Sequence, residues 1–340
     1  MPRGRWNTCA FRRTVSSSSA HRSRSDRWTG GGRRHDCVTL AATTANVRRT
    51  SMEPRATPTQ PRSILLATDL GHRCDRALDR AITCARSWRA SVLCAVVSEE
   101  GFAGEAQRSA SERAVQADLR EELQADDVEL DVCLHEGDPG DRVVAMAAGA
   151  GSGLVVTGIA RSSPLAGILL GRTVDRVLRN SPVPVLVVRR RGRIGYRQIV
   201  VGTDLSEPSR QALLTALSWF PGVPVLLFHA YRPPMSSATT VSEQGHAELY
   251  EAAMVECRGF VASSGLSAED HARLTLRAEY GDPETHLARC HHRFGADVLV
   301  LGSQGRGAVY EALIGSTVRR LLDDVDADVL VVKSGAGGLR

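Results

Sequence analysis

The chain repeats one succession of motifs, and this repeat constrains its fold more than any other feature. LLATDL at 65–70 returns as VVGTDL at 200–205, an offset of 135 residues. EGDP, LVVTG and PVLVVR return in the same order as YGDP, LVLGS and DVLVVK, each near an offset of 144 residues. Because order, spacing and chemistry repeat together, we predict two tandem copies of one domain, at residues 62–190 and 196–334. The basic segment 191–195 would link them.

Each copy alternates apolar runs with helical patterns. In the second copy, QIVVGTD is predicted to be a buried strand and SEPSRQALLTALSWF a helix that Ser206 caps. A helix near 242–263 and the strand ARLTLRAEY follow, and Asp282 of the next GDP is predicted to cap the helix ETHLARCHHRF. ADVLVLG, STVRRLLDDV and DVLVVK complete the copy as strand, helix and strand. This order predicts an α/β fold of two doubly wound domains, each a parallel sheet with helices on both faces.

The composition agrees with two domains and locates the basic charge in an extension. A chain of 340 residues with 42% hydrophobic content can bury two cores. Residues 1–51 hold eleven Arg and two Asp, a charge of +9, against +5 for the whole chain and therefore −4 for the rest. The basic balance is thus poor evidence for nucleic-acid binding. Residues 1–61 lack a sustained apolar period and are predicted to be a disordered basic extension. The alternative is a misplaced start, with translation beginning at Met52.

Several classes of protein are disfavoured by what the sequence lacks. No run approaches the roughly 18 apolar residues of a membrane span. Eight scattered Cys without a CxxC pair indicate a reduced, cytoplasmic protein rather than a zinc or redox protein. His286 and Cys290 stand four residues apart, yet no further residue at ligand spacing completes a metal site. His229, at a strand end, is interpreted as a packed residue rather than a general base.

Two segments of the second copy follow predicted strands and carry the chemistry of a ligand site. They are GTD at 202–204 and GSQGRGAVYEALIGST at 302–317. In a doubly wound sheet, ligands bind outside the carboxyl ends of the strands. Glycine permits close approach of the backbone to phosphates, and amides at a helix N-terminus attract anions. The Ser316 hydroxyl and Arg306 could add a donor and a charge, while Asp204 suits a ribose hydroxyl. Alternatively, the glycines only punctuate turns and Ser316 only caps its helix.

The glycine loop and this architecture resemble the universal stress protein family. Its nucleotide-binding members carry glycine, two residues, glycine, nine residues, then glycine and Ser or Thr, and Gly302, Gly305, Gly315 and Ser316 fit this spacing. DLSEPSRQAL at 204–213 is a second match. The resemblance implies a five-stranded sheet of order 3-2-1-4-5 in each domain and ATP, with or without Mg²⁺, as the ligand. The implied contacts are Gly202, Asp204 and Ala230 to adenine or ribose, Leu301, Gly302, Ser303, Gln304, Gly305, Arg306 and Gly307 to the phosphates, and Gly315, Ser316 and Thr317 to the triphosphate end.

The first copy departs from this pattern. Gly158 and Gly171 are kept, but Arg161 stands at the second glycine position and Arg172 at the serine position. Because an arginine side chain obstructs close backbone approach, we expect a nucleotide-free first domain in which Arg161 partly fills the phosphate pocket. The open alternative is that these arginines bind a different anion. In the second copy, Gln304 replaces a basic residue often found in the family, which implies a somewhat lower phosphate affinity.

We therefore expect a tandem universal stress protein that binds ATP through its second domain and acts as a stress-response regulator or protective factor. Binding is better supported than catalysis, since no residue of the loop is a dedicated general base. Slow ATP hydrolysis or autophosphorylation, and a nucleotide-independent scaffold, stay open as alternatives. The apolar closing strand of each domain would be an open sheet edge, which would pair with another chain if left uncovered. The resemblance implies that domains dimerise through this strand. An intramolecular pseudo-twofold dimer is therefore expected, and a homodimer is left open.

Overall fold

The computed structural model describes residues 38–39, 58–71, 74–98, 104–159, 171–192, 194–232, 243–304 and 315–333. Within them, the first repeat forms a five-stranded parallel sheet. Its elements in chain order are β2 (Ser63–Thr68), α1 (Asp75–Trp88), β3 (Ser91–Ser98), α2 (Glu105–Leu123), β4 (Leu130–Glu136), α3 (Pro139–Gly149), β5 (Leu154–Gly158), α4 (Arg172–Asn180) and β6 (Val185–Val188), and a two-residue strand β1 (Val38–Thr39) precedes them. The strand order is β4-β3-β2-β5-β6. This is the predicted order 3-2-1-4-5, which confirms the fold class.

The second repeat has the same topology. Its elements are β7 (Ile199–Thr203), α5 (Glu207–Trp219), β8 (Val225–Tyr231), α6 (Glu243–Ala262), α7 (Ala268–Ala272), β9 (Leu274–Tyr280), α8 (Pro283–Leu287), α9 (Cys290–Phe294), β10 (Val298–Gly302), α10 (Ser316–Asp324) and β11 (Asp328–Val332). The order is β9-β8-β7-β10-β11. β6, β7, β10 and β11 are buried at every position. Helices cover both faces of these strands, which explains why their sequences are continuous apolar runs.

One predicted helix is two helices in the structure. ETHLARCHHRF was expected to continue without a break, but α8 ends at Leu287 and α9 starts at Cys290. The carbonyl of Ala288 accepts a hydrogen bond from the amide of Asp326 at 3.0 Å, so it is turned away from the helix. The Asp326 carboxylate in turn accepts the His291 amide at 2.8 Å. The prediction of one helix was wrong because Asp326, which is distant in sequence, takes the Ala288 carbonyl and the His291 amide as hydrogen-bond partners.

The two domains join through their last strands. β6 and β11 pair antiparallel, with Leu186 opposite Leu330. Each strand thereby covers the apolar edge that the other would expose. This antiparallel pair joins the sheets of the two domains, and the described strands form one sheet of eleven. The expected pairing of the two domains within one chain is thus observed, and a homodimer stays a prediction.

Two cations cross this seam in a symmetric way. Arg189, the residue after β6, donates to the carbonyls of Leu322 at 2.5 Å and Asp323 at 3.2 Å, at the end of α10. Lys333, the residue after β11, donates to the carbonyls of Leu178 and Arg179 at the end of α4. Each domain therefore caps the last helix of the other with a cation, where the helix dipole favours positive charge. Burial lowers the pKa of Lys333 to about 8.

A second interdomain contact is asymmetric and polar. The Asp328 carboxylate of β11 is fully buried and lies 3.2 Å from Nε of Arg80 on α1. It also accepts hydrogen bonds from the Tyr196 hydroxyl at 2.8 Å and from the amides of Arg189 and Arg190 at 2.8 and 2.9 Å. The Arg80 guanidinium stacks over the Tyr196 ring, 4.1 Å from its centroid. We call Arg80, Tyr196 and Asp328 the interdomain cluster.

Aromatic side chains pack beside the interdomain cluster. The rings of Trp88, at the end of α1, and Trp219, at the end of α5, lie 5.5 Å apart. The indole of Trp88 also donates to the Trp219 carbonyl at 2.8 Å. Thr59, just before β2, accepts a hydrogen bond from the Trp219 indole at 2.8 Å. Residues 58–61 and β1, which pairs antiparallel with β9, are thus part of the fold. Disorder of the remaining residues in 1–61 stays a prediction.

Candidate functional site

The predicted ligand-binding segments of the second domain meet at one edge of its sheet. β7 lies between β8 and β10, and all three strands run parallel. Gly202, Asp204 and Ala230 therefore lie at the same carboxyl edge as 301–304, which end β10. Between β7 and β10 the winding of the sheet reverses direction, which is where doubly wound domains form a ligand crevice. Gly305, Arg306 and Gly307 lie outside the described residues.

Packing requires glycine at two of the predicted contact positions. A Cβ on Gly302 would lie 2.7 Å from both the carbonyl carbon and oxygen of Pro208 in the first turn of α5. A Cβ on Gly202 would lie 2.7 Å from Leu301 and 3.1 Å from Leu287. Gly302 lets α5 approach the end of β10, and Gly202 makes room for the core. A contact of either residue with a nucleotide stays a prediction.

The two ends of the glycine loop are hydrogen bonded to each other. The amide of Gly315 donates to the carbonyl of Ser303 at 3.0 Å, and the amide of Ser303 donates to Val332 of β11 at 2.8 Å. The start of α10 is thereby held against the end of β10. A Cβ on Gly315 would have Ser303 O as its nearest neighbour, 3.9 Å away. Among the described residues, a Cβ on Gly315 would therefore make only ordinary van der Waals contacts, unlike a Cβ on Gly302 or Gly202.

Ser316 does not cap its helix. Gly315 is the N-cap of α10, in an extended conformation with φ −55° and ψ 144°, and Ser316 is the first helical residue. The alternative interpretation of Ser316 as a cap is wrong, and its exposed side chain is available for other contacts. Thr317 donates to the Glu284 carboxylate on α8 at 3.1 Å, and Arg320 lies 3.4 Å from the same oxygen. No local sequence pattern pointed to Glu284, because 33 residues separate it from Thr317.

The turn after β7 is built by short-range side-chain hydrogen bonds, of which the cap at Ser206 was predicted. The Ser206 hydroxyl accepts the amide of Ser209 at 3.5 Å and caps α5, which confirms the predicted N-cap. Asp204 Oδ1 accepts the Ser206 amide at 3.1 Å. Leu205 has a positive φ of 63° and donates its amide to the Thr203 hydroxyl at 2.9 Å. The prediction that Asp204 contacts ribose is untested.

The first domain repeats this turn. Leu70 has a φ of 55° and donates its amide to the Thr68 hydroxyl at 2.9 Å. Asp69 Oδ1 accepts the amide of Gly71 at 2.8 Å and the thiol of Cys74 at 3.0 Å. The backbone of the two turns is therefore alike, and the side chains that follow Asp69 and Asp204 make them different.

At the other end of the first-domain loop, α4 also begins as α10 does in the second domain. Gly171 is the N-cap of α4 with φ −59° and ψ 148°, close to the values of Gly315. Arg172 is the first residue of α4 and is exposed, at the position that Ser316 has in α10. The backbone can therefore form the same helix start in both domains. Arg161, which was expected to fill the first-domain pocket, lies outside the described residues.

The histidines that were not assigned to a metal or catalytic site, and the GDP motifs, have hydrogen-bond or ion-pair partners in the structure. His229 Nδ1 lies 2.9 Å from the carbonyl of Thr203. His286 Nδ1 lies 2.9 Å from Glu279, beside Arg293 on the same carboxylate. Among the described residues, no three His, Cys, Asp or Glu side chains lie close enough together to hold a metal ion. The GDP motifs differ, because Asp138 caps α3 through the amide of Asp141 at 3.0 Å, whereas Asp282 makes no such bond and pairs with Arg232. Asp282 is the N-cap residue of α8, as predicted, but its side chain accepts no capping hydrogen bond.

Comparison with known proteins agrees with the repeated fold. Residues 61–189 and residues 195–333 each match the model of the universal stress protein family. The chain belongs to the universal stress protein family. Both domains of this universal stress protein are thus family domains, in tandem. No functionally curated protein matches the chain significantly.

Solved structures similar to this universal stress protein include two that span most of it. A functionally unknown protein from Pseudomonas aeruginosa PAO1 is 22% identical with a TM-score of 0.60, covering 80% of this chain and 92% of its own. A universal stress protein from Archaeoglobus fulgidus DSM 4304 is 18% identical with a TM-score of 0.57, covering 81% and 99%. The Archaeoglobus fulgidus universal stress protein in complex with dAMP is 16% identical with a TM-score of 0.30, covering 39% and 99%. At these identities the likeness shows the fold alone.

The described residues include no helix long and apolar enough to cross a membrane. The thiols of the described domains are free. Burial raises the pKa of Cys84, Cys94 and Cys290 to about 12 and that of Cys257 to about 11. These four side chains are therefore packed as small apolar groups, as the sequence predicted.

Proposed function

We propose that the second domain binds ATP at the carboxyl edge of its sheet and that the protein acts in the cytoplasm as a stress-response regulator or protective factor. The hydrogen bond from Gly315 to Ser303 carries this proposal. It holds the N-terminus of α10 against the end of β10, where a phosphate would meet both the helix dipole and free backbone amides. A Cβ on Gly315 would meet no described atom closer than 3.9 Å, so the described residues leave room for such a group.

The other side chains of the site fit a polyphosphate bound at this end. The exposed Ser316 hydroxyl stands in the first turn of α10 and can donate to an anion. Asp204 and Ala230 lie on neighbouring strands at the same edge, where the nucleoside would lie. Glu284, with its partners Thr317 and Arg320, fixes the start of α10 against α8. The first domain offers Arg172 in place of Ser316, and we expect it to be nucleotide-free.

The experiment compares matched glycines in the two domains. Gly315→Val adds a side chain where the phosphate is expected, and Gly171→Val adds the same side chain at the corresponding N-cap of the first domain. Both residues have negative φ, so neither change strains the backbone. We expect the wild-type chain and Gly171→Val to release ATP on denaturation and to bind it on titration, and Gly315→Val to do neither.

The same titration decides between the alternatives. Absence of nucleotide from the wild-type protein, with no ATP binding, would reject the proposal in favour of a nucleotide-independent scaffold. ATP binding by Gly315→Val as tight as by wild type would place the site elsewhere. Continuous ATP turnover at about 1 per second or faster would favour an enzyme. Ser316→Arg, which reproduces the first-domain residue, should weaken ATP binding while the melting temperature stays that of wild type.

A further inference from the structure

A cleft rich in arginine lies where the first domain meets the linker. Asp75 and Arg76 from the first turn of α1 form one side, and Arg189, Arg190 and Arg191, which follow β6, form the other. We call these five residues the arginine cleft. Its volume is about 420 Å³, within the range of roughly 300–1,000 Å³ typical of small-molecule sites. None of its residues belongs to the predicted nucleotide site.

Two of its guanidinium groups are held by neutral acceptors. Arg76 Nη1 donates to the carbonyl of Arg189 at 2.8 Å, and Arg190 Nη1 donates to the carbonyl of Asp326 at 3.2 Å. Within the described part of the chain, neither Arg76 nor Arg190 forms an ion pair. A carbonyl oxygen fixes the position of a guanidinium group without neutralising its charge. Both arginines therefore keep their full charge beside the cleft.

The two carboxylates near the cleft, Asp75 and Asp79, both pair with Arg191. Arg191 lies 3.3 Å from Asp79 and 3.8 Å from Asp75. Asp79 is buried under the linker, and Asp75 is the single carboxylate among the five residues of the cleft. Four arginines and one aspartate thus line the cleft, and Arg191 is the one of these arginines that pairs with carboxylates among the described residues. The N-terminus of α1, which carries Asp75 and Arg76, adds further positive potential.

The backbone that carries the cleft is fixed before any ligand arrives. The amides of Arg189 and Arg190 donate to buried Asp328 at 2.8 and 2.9 Å. The Arg189 side chain is anchored to the end of α10 through Leu322 and Asp323. Binding therefore requires little ordering of this segment, which favours affinity.

We propose that the arginine cleft binds a small anion that carries two or more phosphate groups. Planar guanidinium groups donate pairs of hydrogen bonds to phosphate oxygens, and arginine is the residue best suited to such contacts. Arg76 on α1 and Arg190 after β6, which line the same cleft, would each hold one phosphate. The proposal is independent of ATP binding by the second domain.

Inorganic pyrophosphate is the probe, titrated calorimetrically into the full-length chain carrying Gly315→Val, so that the proposed nucleotide site is blocked. We expect binding by this background chain that weakens with added salt. Arg76→Gln/Arg190→Gln should weaken it by at least about tenfold, as expected for lost hydrogen bonds between charged groups. Asp75→Asn, which removes the lining carboxylate, should tighten it. Inorganic phosphate should bind more weakly than pyrophosphate.

Arg197→Gln is the matched control, because Arg197 follows the linker, is 73% exposed and lies outside the cleft. It should bind pyrophosphate like the background chain. No binding by the background chain, or equal binding by Arg76→Gln/Arg190→Gln and Arg197→Gln, would overturn the proposal. If the double variant does not fold, the same titration of the single variant Arg76→Gln provides the test, because Arg76 is exposed and its replacement should not disturb folding. Equal affinity for phosphate and pyrophosphate would overturn the requirement for two phosphate groups.

Discussion

Replacing Asp328 by Asn should destabilise the protein more than the loss of any surface ion pair. The Asp328 side chain is 0% exposed and that of Arg80 5% exposed. Asn keeps the shape of the side chain but removes the negative charge, which leaves the Arg80 guanidinium buried without a counter-charge. Breaking one partner of a buried pair costs about 3–5 kcal/mol. This is a large part of the roughly 5–15 kcal/mol by which a domain is stable.

The Arg86–Asp127 pair provides a control with matched chemistry. Asp127 accepts three hydrogen bonds from Arg86, between 2.8 and 3.1 Å, but the two side chains are 58% and 41% exposed. Asp127→Asn should therefore cost less than about 1 kcal/mol. Each variant removes the charge of an aspartate that pairs with an arginine, and the two pairs differ strongly in burial. The difference in their free energies of unfolding therefore reports how much burial raises the cost of breaking such a pair.

The assay is urea denaturation followed by circular dichroism, with Arg80→Met and the double variant Arg80→Met/Asp328→Asn completing a cycle. We expect the double variant to lose less than the sum of the two single losses, since neither charge is then left alone. The reasoning is refuted if Asp328→Asn costs no more than Asp127→Asn. Losses that simply add would equally show that Arg80 and Asp328 do not stabilise each other.

Three further predictions follow from single contacts. Gly302→Ala should lower the free energy of unfolding by about 1–3 kcal/mol because its Cβ would press on the Pro208 backbone. Gly315→Ala, whose Cβ would meet no described atom closer than 3.9 Å, should change it by less than about 0.5 kcal/mol in the same urea titration. The partly buried Lys333, whose pKa is lowered to about 8 from 10.5, binds fewer protons in the folded than in the unfolded state between these values. The free energy of unfolding of wild type relative to Lys333→Met should therefore rise with pH across this window, and a difference independent of pH would contradict the shift. Partly exposed Cys74 and Cys133 should be alkylated by iodoacetamide in the native protein long before Cys84, Cys94, Cys257 and Cys290, as read by mass spectrometry, because thiolate formation and access are both suppressed by burial.

Much of the site's backbone was predictable because short-range bonds build it. Ser206 caps α5 through a residue three positions away. The helix predicted over STVRRLLDDV begins at Ser316, directly after Gly315. The role of Gly302 was not predictable in the same way. Its contact is with Pro208, which is close to it only after β7 and β10 have paired. The same holds for the bond between Thr317 and Glu284.

The sequence by itself determined the repeat, the order of strands and helices and the apolar edges that pair the domains, because periodicity and local turns are written in neighbouring residues. Only the tertiary structure decided how the domains hold each other. Arg80 and Asp328 are 248 residues apart in sequence, and the corresponding positions of the repeat do not contain the same pair. The arginine cleft likewise forms only when α1 packs beside the end of β6. Contacts between such distant residues depend on the folded chain, since nothing local in either segment specifies its partner.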